Sequence, residues 1–85
     1  MKNKITVNLK LYSGIDKDLN IKNYNTESGI ALEVDYNMRL GKLMKQLGLK
    51  KLSGYVMFSG GERVSRWHKL RNGDSISCLK PAGGG

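Results

Sequence analysis

The hydrophobic period of the sequence changes from that of strands to that of a helix, and this change constrains the fold more than any other feature. Apolar and polar side chains alternate between residues 4 and 12, and they alternate again between residues 30 and 36. A period of two predicts strands with one apolar face, and we expect the two to pair antiparallel. From Leu40 to Leu47 the apolar residues instead follow the i, i+3, i+4, i+7 spacing of an amphipathic helix.

The segments that flank this helix are rich in turn formers. Residues 13–28 are polar and predict a long connection with a short turn around residues 19–24. Asn37 is placed to cap the start of the helix, and Gly48 is placed to close its end in a left-handed conformation.

The last third of the chain predicts three more strands. Residues 55–58 form the first, a tight hairpin at Gly60-Gly61 follows, and residues 62–65 form a short return strand. An Asn-Gly turn within 71–74 leads into the final strand, residues 75–80.

This order of elements predicts an α+β fold. A mixed sheet of four to five strands carries one main helix across one face and leaves the other face partly open. This is the arrangement of a ubiquitin-like β-grasp domain. The chain has 85 residues, which suits one small domain. We assign residues 1–81 to the β-grasp domain and residues 82–85 to a flexible C-terminal glycine tail.

Composition disfavours several classes of protein. One cysteine and one histidine provide neither an internal disulfide nor a zinc ligand set, so we expect no metal and no cofactor. No apolar run approaches the roughly 20 residues that a membrane span needs. The N-terminus leads straight into an alternating segment, which disfavours a signal peptide. We expect a cytoplasmic binding or carrier module with no membrane partner, rather than an enzyme.

The net charge of +8 attracts anionic partners. Lys42, Lys45 and residues 50–51 form one candidate patch. A second candidate patch comprises Arg63, Arg66, Lys69 and Arg71. Because the basic residues are scattered, a solvated basic surface is the default interpretation. Nucleic acid is disfavoured as a partner but stays open, and so does an acidic protein or an anionic ligand.

The glycines at the C-terminus have the clearest functional interpretation. Residues 83–85 are all glycine, and a backbone without side chains can enter a channel too narrow for any Cβ. The carboxylate of Gly85 is then the reactive group, activated by ATP on a partner enzyme. The alternative is a frayed terminus or a cloning remnant.

Four segments resemble one known family. Residues 70–76 resemble its Leu-x-x-Gly-Asp-x-(Ile/Val) turn, and residues 80–85 resemble its Pro-x-x-Gly-Gly ending. Residues 40–49 resemble its Val-x-x-Leu-Leu-x-x-Leu-Gly helix, and residues 59–62 stand where members often have Val-Asn-Gly-Glu. The family is the small sulfur carriers, which comprises the small subunit of molybdopterin synthase and the thiamine-pathway sulfur carrier.

The resemblance implies a mechanism and its partners. An E1-like adenylating enzyme, which binds the ATP, activates Gly85, and a sulfur donor converts it to a thiocarboxylate. The chain is then a protein substrate and the small subunit of a sulfurtransferase-type synthase. The thiocarboxylate passes to the molybdopterin synthase large subunit, or to thiazole synthase in the thiamine pathway. The long 13–28 connection and the Pro81 ending favour molybdopterin or the related tungsten cofactor, although the strongly basic charge departs from the family.

The resemblance also implies site residues. Gly84 and Gly85 match the family's terminal pair, and Gly83 extends the thread. Leu79 matches an exposed apolar residue at the partner interface, and Pro81 belongs to the same interface. Phe58 or Met57 joins this interface, depending on the register of the neighbouring strand.

Two other functions stay open. A ubiquitin-like protein modifier uses the same tail but forms an isopeptide bond to a lysine. A basic module on the same fold would bind nucleic acid with a steep salt dependence, and this binding would persist after removal of the glycines. Cys78 lies two residues after Ile76 in the final strand, so the two side chains share the face towards the helix. This favours a buried structural thiol.

Overall fold

The computed structural model describes residues 3–22, 24–25, 27–49 and 51–81. The predictions for Gly83, Gly84 and Gly85, and for the 82–85 tail, therefore concern residues outside the described part of the chain. In chain order the elements are β1 (Lys4–Leu11), α1 (Ile15–Asp18), β2 (Ile30–Asp35), α2 (Leu40–Leu47), a 3₁₀ turn (Leu52–Gly54), β3 (Val56–Ser59), β4 (Glu62–Val64) and β5 (Ser75–Leu79).

The strands form a mixed five-stranded sheet in the order β2-β1-β5-β3-β4. β1 and β5 run parallel at its centre, whereas the other neighbours are antiparallel. The predicted α+β architecture is confirmed, including the antiparallel pairing of the first two strands.

The hydrophobic core lies between one face of this sheet and α2. Leu40 and Met44 of the helix are fully buried, and they belong to one cluster with Val7 and Leu9 of β1. Leu9 lies opposite Ile76 of β5, so the two central strands present their apolar side chains to the same side. Burial of these side chains is the main stabilising contribution to the fold.

The glycine turns are confirmed by their backbone angles. Gly60 and Gly61 have φ of 58° and 89°, as a two-residue hairpin requires, and Gly73 has φ of 89°. Gly48 ends α2 with φ of 120°. No helix among the described residues is long and apolar enough to cross a membrane.

The predicted helix cap is wrong. Arg39, not Asn37, is the N-cap residue of α2, and it makes no capping side-chain hydrogen bond. The free N–H groups of the first turn are satisfied elsewhere, since Leu40 N–H donates to His68 O and Gly41 N–H donates to Arg66 O, each at 2.8 Å. Backbone from the 66–68 segment therefore replaces a capping side chain.

The long connection holds a helix that was not predicted. The expected turn lay around residues 19–24; the structure has a turn at residues 19–20, and α1 precedes it, starting after Gly14 in a left-handed conformation. Ile15 is fully buried, and Leu19 packs against the same core. The i, i+4 spacing of these two residues is the signal that could have found the helix.

Candidate functional site

The register of β5 against β3 decides which side chains lie on the open face of the sheet. Leu79 lies opposite Val56, and Phe58 lies opposite Ser77. All four are partly buried and point away from the core. We call the three apolar residues Val56, Phe58 and Leu79 the sheet patch.

Met57 does not belong to the sheet patch, which corrects one of the two alternatives for the neighbouring strand. It lies opposite Cys78 of β5 and Val64 of β4, on the core side of the sheet. It is only 4% exposed, so its side chain is part of the core. Phe58 is therefore the residue of this pair that stands beside Leu79.

Two cations flank the sheet patch. Lys10 of β1 lies opposite Ser77, and Arg63 of β4 lies opposite Phe58. A row of Lys10, Ser77, Phe58 and Arg63 thus crosses four strands of the open face. An apolar centre between cations suits a partner surface with an apolar contact and nearby carboxylates. Lys10 was not predicted as a site residue, and Arg63 was predicted only as part of a basic patch with Arg66, Lys69 and Arg71, since only the register brings the two cations into this row.

The end of β5 is fixed to α1 by an ion pair. Lys80 Nζ lies 2.6 Å from Asp18 Oδ2, immediately after Leu79. The hydrogen bond with this carboxylate raises the pKa of Lys80 above its ordinary value. Pro81, the next residue, is exposed. An ion pair between two exposed side chains thus links the end of β5 to α1 beside the sheet patch, and such exposed pairs contribute little stability.

The Gly-Asp turn before β5 is held by its own side chains. Asp74 Oδ2 accepts a hydrogen bond from the Arg71 N–H at 2.8 Å and lies 3.2 Å from His68 Nε2. A carboxylate that accepts a backbone N–H fixes the turn conformation. Residues 71–74 thus position β5 and have a structural role in this chain.

The same turn is joined to β1. Asn72 Oδ1 accepts the Thr6 N–H, and the Gly73 N–H donates to Thr6 O, both at 2.8 Å. Asn8 N–H donates to Asp74 O at 2.8 Å. These bonds set the register in which β5 enters the sheet, and hence the position of Leu79.

Cys78 is a buried structural thiol, as predicted. Its residue is fully buried between Leu11 of β1 and Met57 of β3. Burial raises the pKa of the thiol to about 11, so the reactive thiolate is scarce at neutral pH. Among the described residues, no group of three or more His, Cys, Asp or Glu side chains could hold a metal ion.

The fold has counterparts among solved structures. No known family profile and no curated protein matches the sequence. The structure is similar to small archaeal modifier protein 1 (SAMP1) from Haloferax volcanii, with a TM-score of 0.68 and 15% identity over 94% of this chain and 99% of that one. It is also similar to a molybdopterin converting factor subunit 1 from Pyrococcus furiosus, with a TM-score of 0.67 and 15% identity over 92% and 99% of the two chains.

A ubiquitin from Caldiarchaeum subterraneum aligns over 98% of this chain and all of its own, with a TM-score of 0.52 and 14% identity. This chain has the ubiquitin-like β-grasp fold. The predicted fold class is confirmed, and the predicted resemblance is confirmed at the level of the fold. The sheet patch of this β-grasp domain lies on the open face, at the end of the strand that leads to the C-terminus.

Proposed function

We propose that this β-grasp protein is a sulfur carrier whose C-terminal glycine carboxylate, at Gly85, is converted to a thiocarboxylate. The supporting observation is the layout of β5, which ends at Leu79 in the sheet patch and continues through Pro81 to the glycines. A partner that binds the sheet patch therefore contacts the strand from which the glycines follow in the sequence. The similarity to a molybdopterin converting factor subunit 1 favours molybdopterin or tungstopterin biosynthesis as the pathway.

The proposed chemistry takes place on partner enzymes. On an E1-like adenylating enzyme, a Gly85 carboxylate oxygen attacks the α-phosphorus of ATP, and pyrophosphate leaves. Hydrosulfide then attacks the acyl carbon of the adenylate, a carbon–sulfur bond forms, and AMP leaves. The product is a thiocarboxylate in which one sulfur replaces one oxygen. This chain needs no catalytic side chain for these steps.

The residues of the site have distinct roles in this proposal. Leu79 and Phe58 supply the apolar contact with the adenylating enzyme and with the large subunit of the synthase. The exposed Lys80–Asp18 ion pair links the start of the C-terminal segment to α1. Pro81 ends the strand because it has no N–H to donate. Gly83 and Gly84 let the backbone enter a narrow channel.

A second candidate function is protein modification, which the similarity to SAMP1 supports. The same acyl-adenylate would then react with a lysine amine of another protein, forming an isopeptide bond and releasing AMP. Thiazole synthase is the alternative acceptor if the pathway is that of thiamine. A protein conjugate that survives boiling in detergent and reductant would identify the modifier.

Removing Gly84 and Gly85 tests the proposal. The truncated chain is expected to show no adenylation in a pyrophosphate-exchange assay with the E1-like enzyme of its host. Gly84→Leu is also expected to block the reaction because its side chain obstructs the channel. Gly54→Ala serves as the matched glycine control, since a Cβ there meets no atom within 4 Å. Pyrophosphate exchange that continues at the wild-type rate in the truncated chain would contradict the proposal.

A further inference from the structure

A basic groove lies beside α2, at the edge of the sheet away from β2. It consists of two adjoining cavities of about 330 and 560 Å³, which share Leu52 and Arg66. Cationic side chains from α2 and from the segment after β4 surround the first cavity: Arg39, Lys42, Lys45 and Arg66. Among the described residues, those that line either cavity include no Asp or Glu.

The first cavity is held in shape by bonds around Trp67. Arg39 Nη1 donates a hydrogen bond to Trp67 O at 2.9 Å. The Arg66 guanidinium lies over the indole ring, 5.0 Å from its centre. The Gly41 N–H donates to Arg66 O at 2.8 Å, which fixes this segment to α2. This surface is therefore ordered before a partner binds, so ordering its side chains reduces the affinity of the partner only a little.

An apolar floor accompanies the positive charge. Leu52 is buried beneath both cavities, and Trp67 is 65% exposed beside the first. Tryptophan and arginine are the residue types that dominate binding energy at protein interfaces. The groove thus combines a place for an apolar side chain with a cationic rim.

The second cavity lies along β4, which is one of the two edge strands of the sheet. An edge strand presents unpaired backbone N–H and C=O groups, to which an extended polypeptide can add. Val56 also lines this cavity and lies opposite Leu79, so the groove reaches the sheet patch.

We propose that the basic groove binds an extended, acidic segment of a partner protein, with one apolar side chain seated between Trp67 and Leu52. Charge complementarity favours this occupant, since the part of the groove that the structure describes offers cations and no carboxylate. The edge strand favours a polypeptide. The inference goes beyond the sulfur-carrier proposal and does not depend on the glycines.

A single-stranded nucleic acid fits the groove less well. Such ligands bind to a series of aromatic platforms, each of which stacks one base. Among the aromatic residues of the described part of the chain, Tyr12 and Tyr36 line neither cavity, and Tyr55, which lines the second, is partly buried against the core. Trp67 does line the groove, but Arg66 already covers one face of its ring.

Trp67 is the single tryptophan of the chain, so its fluorescence reports directly on the groove. The probes are a short dye-labelled peptide that alternates Glu and Leu, the same peptide with Gln for Glu, and single-stranded oligouridine. The Glu peptide is expected to bind the full chain, to change the Trp67 emission and to weaken as salt increases. The affinity of the Gln peptide is expected to be at least about tenfold lower than that of the Glu peptide.

Charge-reversal variants locate the binding site. Lys42→Glu combined with Lys45→Glu is expected to lower the affinity for the Glu peptide about tenfold or more. Lys17→Glu combined with Lys22→Glu changes the net charge equally, but neither residue lines the groove, so the loss is expected to stay below about twofold. A variant with both Lys42→Gln and Lys45→Gln removes the two charges without reversing them. Thermal unfolding of every variant checks that each one is folded before its affinity is compared.

Three outcomes would overturn the proposal. The first is an equal loss of affinity in the groove and control variants, which would indicate non-specific charge attraction. The second is peptide binding without any change in Trp67 emission, which would place the peptide elsewhere. The third is tight binding of oligouridine in place of the Glu peptide, which would assign the groove to nucleic acid.

Discussion

Replacing Gly41 with alanine would test whether the basic groove owes its shape to a close approach between α2 and the 66–68 segment. A Cβ at residue 41 would lie 2.8 Å from Arg66 Cβ and 3.0 Å from Arg66 O. Non-bonded carbon atoms prefer a separation of about 3.5–4.0 Å. The segment would therefore have to retreat by about 0.7 Å, which also draws Arg66 O away from the Gly41 N–H.

The expected cost follows from these contacts. Stretching the Gly41–Arg66 hydrogen bond loses about 1 kcal/mol, and overpacking adds about 1–3 kcal/mol. The higher helix propensity of alanine returns up to about 1 kcal/mol. We expect Gly41→Ala to lower the free energy of unfolding by about 1–3 kcal/mol.

Urea denaturation measures this effect as a lower midpoint at an unchanged slope. The matched control is Gly54→Ala, where a Cβ meets nothing within 4 Å, and it is expected to leave stability unchanged or slightly higher. If Gly41→Ala were as stable as the wild type, the helix and the segment would not be in limiting contact, and the account of the groove's shape would fail.

Three further predictions concern the sheet and its turn. Leu79→Glu is expected to weaken binding of the adenylating enzyme by about 2 kcal/mol or more in calorimetry, since it places a charge in an apolar contact; unchanged affinity would remove Leu79 from the interface. Asp74→Ala is expected to cost about 1–2 kcal/mol in thermal unfolding because the Arg71 N–H loses its acceptor, and an unaltered Tm would refute that role. The pKa of Cys78 is about 11 against 9.0 for a free thiol, so its contribution to stability is complete below pH 9 and disappears as the pH rises to about 11. The free energy of unfolding should therefore fall more steeply with pH in the wild type than in Cys78→Ala between pH 9 and about 11. The same pH dependence in both proteins would contradict the buried neutral thiol.

The sequence was sufficient to predict the elements with a strong period. Alternation located β1 and β2, and the helical spacing located α2. The Asn37 cap failed because the first turn of α2 binds backbone from the distant 66–68 segment, which no local pattern reveals. α1 was missed because four residues carry too short a period to stand out.

The candidate site was predictable only in part. Alternation puts Met57 and Phe58 on opposite faces, but the pairing of β3 with β5 decides which of them faces the core. The basic groove was not predictable from the sequence. Lys42 and Lys45 were predicted in one patch and Arg66 in another, because the helix and the 66–68 segment are far apart along the chain. A bridge between Arg39 and Lys69 joins the start of α2 to this later segment and brings both groups together.

The sulfur-carrier proposal is tested most directly by the intact mass of the protein after incubation with its E1-like enzyme, ATP and sulfide. The proposal predicts a mass increase equal to the exchange of one oxygen for sulfur, located at Gly85 and absent when Gly84 and Gly85 are both removed. An unchanged mass, with an enzyme that demonstrably forms the adenylate, would contradict it.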